Sequence, residues 1–307
     1  MKRALLLFLS VVVCAGVSRA HSQVSGNVAY SQPGKSREAA KLNERNKRME
    51  VGAPSPTAMY VDASVLMNVR ADEHVAVFAV MQECAAVQEC DQKMSAAVAE
   101  FSAALRQLGV AAGDIFVDFT AQNKIYGFEL GEAVAREKLA GFELKKNVAV
   151  RYKDRLMLDK MATAAARAGI FDLVKVDYVV TDQSIVQQRL YEEAARIIKQ
   201  KVARHETLLN IRLRQPAQVL AERPSVYFPT EMYDSYTAFE TENLSQPHFD
   251  RQRYAVQGAR KSRTFFFNAL DADGFDHVIN PVVLEPVVQF TLYVRMKYEI
   301  EPQLAKP

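Results

Sequence analysis

Sequence motifs of the common enzyme classes are missing from this chain of 307 residues. It contains no G-x-S-x-G nucleophile elbow, no G-x-x-x-x-G-K phosphate-binding loop and no G-x-G-x-x-G dinucleotide turn. None of its histidines pairs with another histidine or with a cysteine at the short spacings that zinc ligands use (His21, His74, His205, His248 and His277). We therefore predict no catalytic residue, no cofactor and no metal ligand.

A dominant charge is also missing, and so is a long apolar run beyond the N-terminus. The chain has 39 Lys and Arg against 36 Asp and Glu, and residues 1–20 hold three of the basic residues and no acidic one. The remainder is therefore balanced at 36 of each sign. A chain without net charge has no overall field to attract nucleic acid. No later run approaches the roughly 20 apolar residues that a spanning helix requires, so we expect neither a nucleic-acid partner nor a transmembrane segment after residue 20.

The N-terminus has the three parts of a cleavable secretory signal. Lys2 and Arg3 form the basic region, residues 4–16 are almost wholly apolar, and Ser18 and Ala20 are the small residues expected before the cleavage site. The apolar run of about 13 residues is too short to span a bilayer. We predict that residues 1–20 are a signal peptide removed before His21, and that the mature protein is periplasmic or secreted, within the cell envelope.

Cysteine is scarce, with three in the chain, and Cys14 lies within the predicted signal peptide. The remaining pair, Cys84 and Cys90, is expected to form a disulfide because exported proteins usually oxidise such pairs. A redox-active pair is the alternative, since Cys90 lies just before a predicted helix N-terminus. The spacing is wider than in most redox dithiols, and the neighbouring acidic side chains disfavour a thiolate. The structural disulfide is favoured, and the alternative stays open.

Residues 21–56 are predicted to be a disordered linker. They are rich in Ser, Asn, Gln and charged residues, with several prolines and glycines, and such a composition cannot bury enough apolar surface to offset the entropy of ordering. Six basic residues meet three acidic ones between positions 35 and 50. A weak contact between this linker and the envelope surface is one interpretation, and a solvated tail is the simpler one. Residues 301–307 are predicted to be a tail.

Residues 57–300 are predicted to form one folded domain. Alternating apolar and polar residues indicate strands, and apolar residues three and four apart indicate helices. Strands are predicted at 59–69, 74–82, 114–119, 141–152, 171–180, 219–228 and 282–300, and helices at 91–108, 154–169 and 183–209. Asp91 and Asp154 are the expected N-caps of the first two helices. Residues 121–138 are expected to form a loop with a short helix.

The order of these elements predicts an α+β fold with a mainly antiparallel sheet and with helices packed on one face. Residues 229–280 have weak periodicity, many polar residues and several aromatic ones, so we expect an irregular segment within the domain. Its aromatic side chains would form either a binding surface or a flap over the core, and both interpretations stay open.

Several short stretches have an order and spacing that occur together in one known family. They are residues 69–77, Leu108-Gly109-Val110 followed by Asp114-Ile115, Gly141-Phe142 with Arg151-Tyr152-Lys153-Asp154, Ala168-Gly169-Ile170, a helix bearing Leu190, Ala194 and Ala203, and Glu285-Pro286 before the last strand. In these stretches, which extend over roughly residues 60–300, the chain resembles the SIMPL-domain family of exported bacterial envelope proteins. It departs from the family at Ala71, where proline is common, and in the length of the segment after Pro229.

The resemblance implies an α+β protein that is periplasmic or secreted, tends to oligomerise and has no established catalytic residue. Roles in stress tolerance or envelope maintenance have been attached to members. We therefore expect a SIMPL-like domain and a non-enzymatic envelope protein of unknown molecular activity that forms homo-oligomers. A redox or oxidative-stress-protective protein that uses Cys84 and Cys90 is the alternative.

Overall fold

The structure is a computed structural model that describes residues 41–42, 55–131, 134–236 and 264–302, with Thr120 and Tyr236 described by their backbone alone. The predicted signal peptide, most of the predicted linker and the end of the tail lie outside these residues. The same holds for positions 237–263 of the predicted irregular segment.

Ten strands and three α-helices make up the described part of the fold. The strands are β1 (Ala58–Val69), β2 (Glu73–Cys84), β3 (Ile115–Leu130), β4 (Ala135–Tyr152), β5 (Asp172–Val179), β6 (Gln218–Tyr227), β7 (Tyr233–Tyr236), β8 (Thr264–Phe267), β9 (His277–Ile279) and β10 (Val288–Glu299). The helices are α1 (Val87–Gln107), α2 (Met157–Arg167) and α3 (Gln183–Leu209).

The long strands form two four-stranded sheets. Sheet A has the order β6-β10-β1-β9, sheet B has the order β3-β4-β2-β5, and β7 and β8 form a separate small pair. All neighbours are antiparallel except β1 and β9. The predicted α+β class with mainly antiparallel strands is confirmed, and the strands divide between two sheets.

Helices α1 and α2 pack on one face of sheet B. The apolar residues of α1 that recur three and four apart, including Met94 and Phe101, are fully buried against β2 and β4. Phe101 meets Phe78 of β2 edge to face, with ring centroids 5.1 Å apart. Burial of each such side chain contributes about 1.5–3 kcal/mol, so this layer is a main source of the stability of sheet B.

Helix α3 covers one face of sheet A in the same way. Its apolar stripe packs on alternate residues of β1 and β10 (Val186, Leu190, Ala194, Ile197, Ile198 and Val202). The Asp182 side chain caps its first turn and accepts hydrogen bonds from Ser184 N at 3.1 Å and Ile185 N at 3.3 Å. The helix ends at Asn210, whose φ of 50° is tolerated by asparagine better than by most residues.

Two predicted helix starts are wrong. Helix α1 begins at Val87 after Ala86, which provides no side-chain cap, so Asp91 lies within the helix. The buried Cys90 requires this earlier start, because it joins the core from within the first turn. Asp154 instead accepts a hydrogen bond from Leu156 N at 2.9 Å and stabilises the turn that precedes α2 at Met157.

The loop and short helix expected at 121–138 are also wrong. Residues 121–130 continue β3, and β4 begins at Ala135. The two strands pair as far as Leu130 and Ala135, with irregularities in register beside Thr120 and between Ile125 and Tyr126.

Candidate functional site

The two predicted site residues, Cys84 and Cys90, lie together and form a disulfide, with their Cα atoms 5.5 Å apart. Cys84 ends β2 and Cys90 lies in the first turn of α1, so the bond ties the sheet to the helix that covers it. A disulfide fits a location outside the cytoplasm, where oxidising conditions maintain such bonds.

The surroundings of Cys90 bear on the redox alternative. Its side chain is 0% exposed, and its Sγ lies 3.5 Å from the Gln82 carbonyl oxygen and 3.6 Å from the Phe142 carbonyl oxygen. Carbonyl oxygens carry partial negative charge and give a thiolate no stabilisation. Reversible reduction and oxidation of this disulfide in the cell stays a prediction.

Beside the disulfide, β4 passes very close to the end of β2. A Cβ atom added at Gly141 would lie 2.6 Å from the Cys84 carbonyl oxygen, which is nearer than real Cβ atoms approach. Glycine is therefore required at this crossing. Strand β2 pairs with β4 only from Phe142 onwards, so the sheet narrows to two strands at this point.

Beyond this crossing, the ends of β3 and β4 form a projecting two-stranded arm, which we define as Ile125–Gly141. Within it, β3 and β4 pair with no other strand of the described ranges. Gly131 N donates to the Val134 carbonyl oxygen at 2.9 Å and closes the tip.

The arm has one apolar and one polar face, because residues directly opposite in a ladder share a face and faces alternate along each strand. The register pairs Tyr126 with Leu139, Phe128 with Glu137 and Leu130 with Ala135. These residues form the apolar face, on which Tyr126, Phe128 and Leu130 are 54%, 70% and 82% exposed.

The opposite face of the arm is charged. Gly127 pairs with Lys138 and Glu129 with Arg136, and the Lys138 Nζ lies 3.4 Å from the Glu129 Oε2. A two-stranded ribbon whose two faces are both exposed to water requires no apolar residues on either face. The exposed rings are concentrated on one of the two faces, an arrangement that is typical of interaction surfaces.

A cleft of about 610 Å³ lies on the face of sheet A opposite α3. Leu66 and Asn68 of β1 line it together with aromatic residues of β7 and β8. The rings of Tyr233 and Phe267 meet at 6.1 Å. The described part of the predicted aromatic segment thus lines a cleft, and the choice between a binding surface and a flap stays open.

Buried amides hold this cleft to the sheet. The fully buried Gln289 donates from Nε2 to Asn68 Oδ1 at 2.7 Å and accepts from Leu270 N at 2.7 Å. Asn68 and Asn280 exchange side-chain to backbone hydrogen bonds of 2.9 and 3.0 Å. Because these amides satisfy one another, they act as a structural network.

A charged cluster occupies the far end of the same face. Tyr293 donates to Asp62 Oδ2 at 3.2 Å, and the Arg295 Nη2 lies 3.3 Å from the same oxygen. Burial, and then the negative charge of Asp62, raise the pKa of Tyr293 to about 12. At the edge of β1, the Lys201 Nζ lies 2.6 Å from Asp276 Oδ1 and donates to the Asp62 carbonyl oxygen at 2.9 Å. The cluster therefore links α3 to sheet A.

His74 lies where the two sheets meet. Its ring stacks on Tyr152 and meets the edge of Tyr178, with both centroid distances 5.2 Å. Burial lowers the pKa of His74, the positive charge of Arg155 lowers it further, and the negative charge of Glu285 opposes both. Glu285 in turn forms ion pairs with Arg155 and with Arg70, whose Nε lies 2.8 Å away.

The described residues contain neither a metal-ligand cluster nor a membrane-spanning helix. No group of three or more His, Cys, Asp or Glu side chains in these ranges is placed to hold a metal ion. Nor does any helix there combine the length and the apolar character needed to cross a membrane.

Comparison with known proteins found no family model and no curated protein that matches this chain. The resemblance to SIMPL-domain proteins accordingly stays a prediction from the residues.

Proposed function

We propose that this chain is a non-catalytic exported protein of the cell envelope, periplasmic or secreted, that assembles into homo-oligomers through the free edge of sheet B. The single observation that supports the proposal is the exposure of β3. It ends sheet B, and no strand in the described ranges pairs with its outer edge.

The composition of β3 favours pairing with another chain. It is 16 residues long, contains no proline, and exposes Phe116 and Phe119 at 65% and 59%. Long apolar edge strands are templates for association, and most proteins shorten, charge or cover them.

The edges of sheet A show such protection. Strand β9 is three residues long, and β6 contains Pro224 between Arg223 and Ser225. The Tyr191 hydroxyl of α3 also contacts the Glu222 carboxylate on β6, and this hydrogen bond raises the pKa of Tyr191 to about 12. The contrast between the protected edges of sheet A and the open edge of β3 supports a role of that edge in association.

The predicted signal peptide and the disulfide support the exported location. The proposed contribution to envelope maintenance or stress tolerance is supported by the family resemblance. The redox alternative has less support, because Cys90 is buried against two carbonyl oxygens.

The test is the molar mass of the chain from His21 onwards, measured by size-exclusion chromatography with light scattering at micromolar concentration. We expect an oligomer, and we expect Phe116→Ser combined with Phe119→Ser to shift it towards the monomer. Phe171→Ser is the matched control, since Phe171 is 80% exposed just ahead of β5 at the other edge of sheet B. A monomeric parent chain, or equal effects of the two sets of substitutions, would overturn the proposal.

A further inference from the structure

We infer that the arm, Ile125–Gly141, is a dimerisation ribbon whose apolar face packs against the same face of the arm in a second copy of this chain. The inference rests on the proposed self-assembly and adds a second contact surface to the free edge of β3, with a second copy of this chain as the partner.

No described element covers the arm. Tyr126, Phe128, Leu130 and Leu139 are all exposed, and among the described strands those of the arm pair only with each other. An isolated two-stranded ribbon is marginally stable in water and needs further strands or a layer packed against its apolar face. A second arm supplies such a layer.

The apolar area is adequate for this contact. At their observed exposures, the two aromatic rings offer on the order of 250 Å² per copy. Leu130, Val134 and Leu139 add to this area. Together these side chains offer a large part of the roughly 800 Å² that each partner buries in a stable interface.

Two-fold symmetry makes the contact self-complementary. In such an interface residue i of one copy meets residue j of the other while j meets i, so one apolar stripe can match itself, and only residues near the axis meet their own equivalents. The charged face then points to solvent on both sides, with its Glu129–Lys138 ion pair intact.

Charge favours a second copy over a lipid surface. The tip, residues 129–138, carries Glu129, Glu132 and Glu137 against Arg136 and Lys138, which sum to −1. Anionic membranes attract clusters of basic residues, and the tip has an acidic excess.

The base of the arm is fixed, which lowers the entropy cost of association. Gly141 lies against the end of β2, and Cys84 there is bonded to α1. The direction of the arm is therefore set before the partner arrives.

Site-specific crosslinking tests the contact surface. Phe128→Cys and Lys138→Cys each place a single thiol on the mature chain beside the closed Cys84–Cys90 disulfide, on the apolar and the polar face respectively. With copper–phenanthroline and dioxygen as the oxidant, two thiols lose two electrons and two protons to form one intermolecular bond. We expect Phe128→Cys to yield a covalent dimer on a non-reducing gel and Lys138→Cys to yield little. The reverse pattern would overturn the inference.

Association strength is the second readout. Phe128→Ser combined with Leu130→Ser should raise the dissociation constant in sedimentation equilibrium by about 30-fold or more, because central aromatic anchors dominate interface energy. Glu129→Gln combined with Lys138→Gln, on the polar face, should change it by less than about threefold. Circular dichroism would verify that both variants keep the parent fold.

Glu137 is the one charged residue on the apolar face among the described residues of the arm, and its substitution should change the dissociation constant in the opposite direction. It lies opposite Phe128, so symmetry brings two carboxylates towards one interface. Glu137→Gln should therefore tighten association, and weaker association would contradict the packing described.

The outcomes separate this inference from the proposed function. If the parent chain assembles and the arm variants assemble equally well, the inference is wrong and the proposed function stands. A monomeric parent chain would overturn both. A parent chain that stays monomeric and sediments with phosphatidylglycerol vesicles would assign the apolar face to lipid instead.

Discussion

The longest antiparallel ladder of sheet A joins β1 and β10, that of sheet B joins β3 and β4, and the two differ in what covers them. Strands β1 and β10 have 12 residues each, and the first eight residues of β10 are all buried. Strands β3 and β4 have 16 and 18 residues, and the first six residues of β4 are all exposed. Sheet A uses its side chains to hold the fold together, whereas the arm of sheet B presents them outwards.

The comparison shows how the same backbone pairing serves two purposes. In the β1–β10 ladder, α3 covers one face and the amide network fills part of the other, so substitutions there should be costly. In the arm, the contacts among the described residues are cross-strand pairs, which contribute roughly 0.2–1 kcal/mol each. Substitutions in the arm should therefore affect association more than folding.

The largest expected effect is on the core of sheet A. Phe290→Ala, at a residue 2% exposed, should lower the free energy of unfolding by about 3–5 kcal/mol through lost burial and a cavity. Phe128→Ala in the arm should change the monomer's unfolding free energy by less than about 0.5 kcal/mol. Urea unfolding measured at dilutions below the association range would check both. Equal losses would break the distinction between the ladders.

The next effect concerns the amide network. Gln289→Leu leaves Leu270 N and Asn68 Oδ1 without their partner, so we expect a loss of about 2–3 kcal/mol. The control is Asn123→Ala on β3, whose amide donates to Glu143 at 3.1 Å in an exposed position and should cost under about 0.5 kcal/mol. Thermal unfolding of both variants would measure the difference. A neutral Gln289→Leu would mean that water replaces the lost hydrogen bonds.

Reduction of the disulfide should have a smaller effect. Opening the short loop between Cys84 and Cys90 should cost roughly 2 kcal/mol, because the loop-closure entropy of so few residues is modest. Urea unfolding with and without a strong reductant would measure the loss. Thiol alkylation followed by mass spectrometry should find the bond intact in mild reductant. A pair that opens and closes readily would instead favour the redox alternative.

The smallest effect is a pH dependence at the junction of the sheets. Since the pKa of His74 is lowered in the folded state, the unfolded chain binds more protons as pH falls below 6.5, and folding stability decreases there. The effect should stay under about 1 kcal/mol because His74 is only half-buried and Glu285 opposes the shift.

The substitution His74→Phe keeps a ring between Tyr152 and Tyr178 and should flatten the stability profile between about pH 7 and pH 5. His205→Phe on α3 is the control. An unchanged slope in His74→Phe would show that other groups set the pH dependence.

Helices and strands with a face buried in a core could be predicted from their apolar periodicity. The exposed parts of β3 and β4 could not. The stripe of α3 and the alternation of β1 and β2 gave bounds close to those observed, because each has one face in a core. For β3 and β4, the predictions of 114–119 and 141–152 located only the parts that lie against the sheet. The arm has no face buried in a core among the described residues, so its sequence lacks the alternation that burial imposes on a strand.

The pairing of strands within the sheets and the residues that line the cleft could not be predicted from the sequence either. Alternation identifies a strand, and it does not say which strand will lie beside it. The pairing of β1 with β10 joins residues more than 200 positions apart, and the division into two sheets follows from such long-range pairs. The disulfide was predicted correctly as a pairing because only two cysteines follow the predicted signal peptide.

Strand β4 continues without a break from the exposed tip of the arm into the centre of sheet B, where Val148 and Val150 are fully buried. A pulling force applied to the arm would therefore act along the axis of β4. It would load the hydrogen bonds that join β4 to β3 and to β2 in parallel. Hydrogen bonds loaded in this way must break together, whereas bonds loaded from one end open in turn. An assembly joined through these arms would resist stretching by the same backbone that folds each subunit.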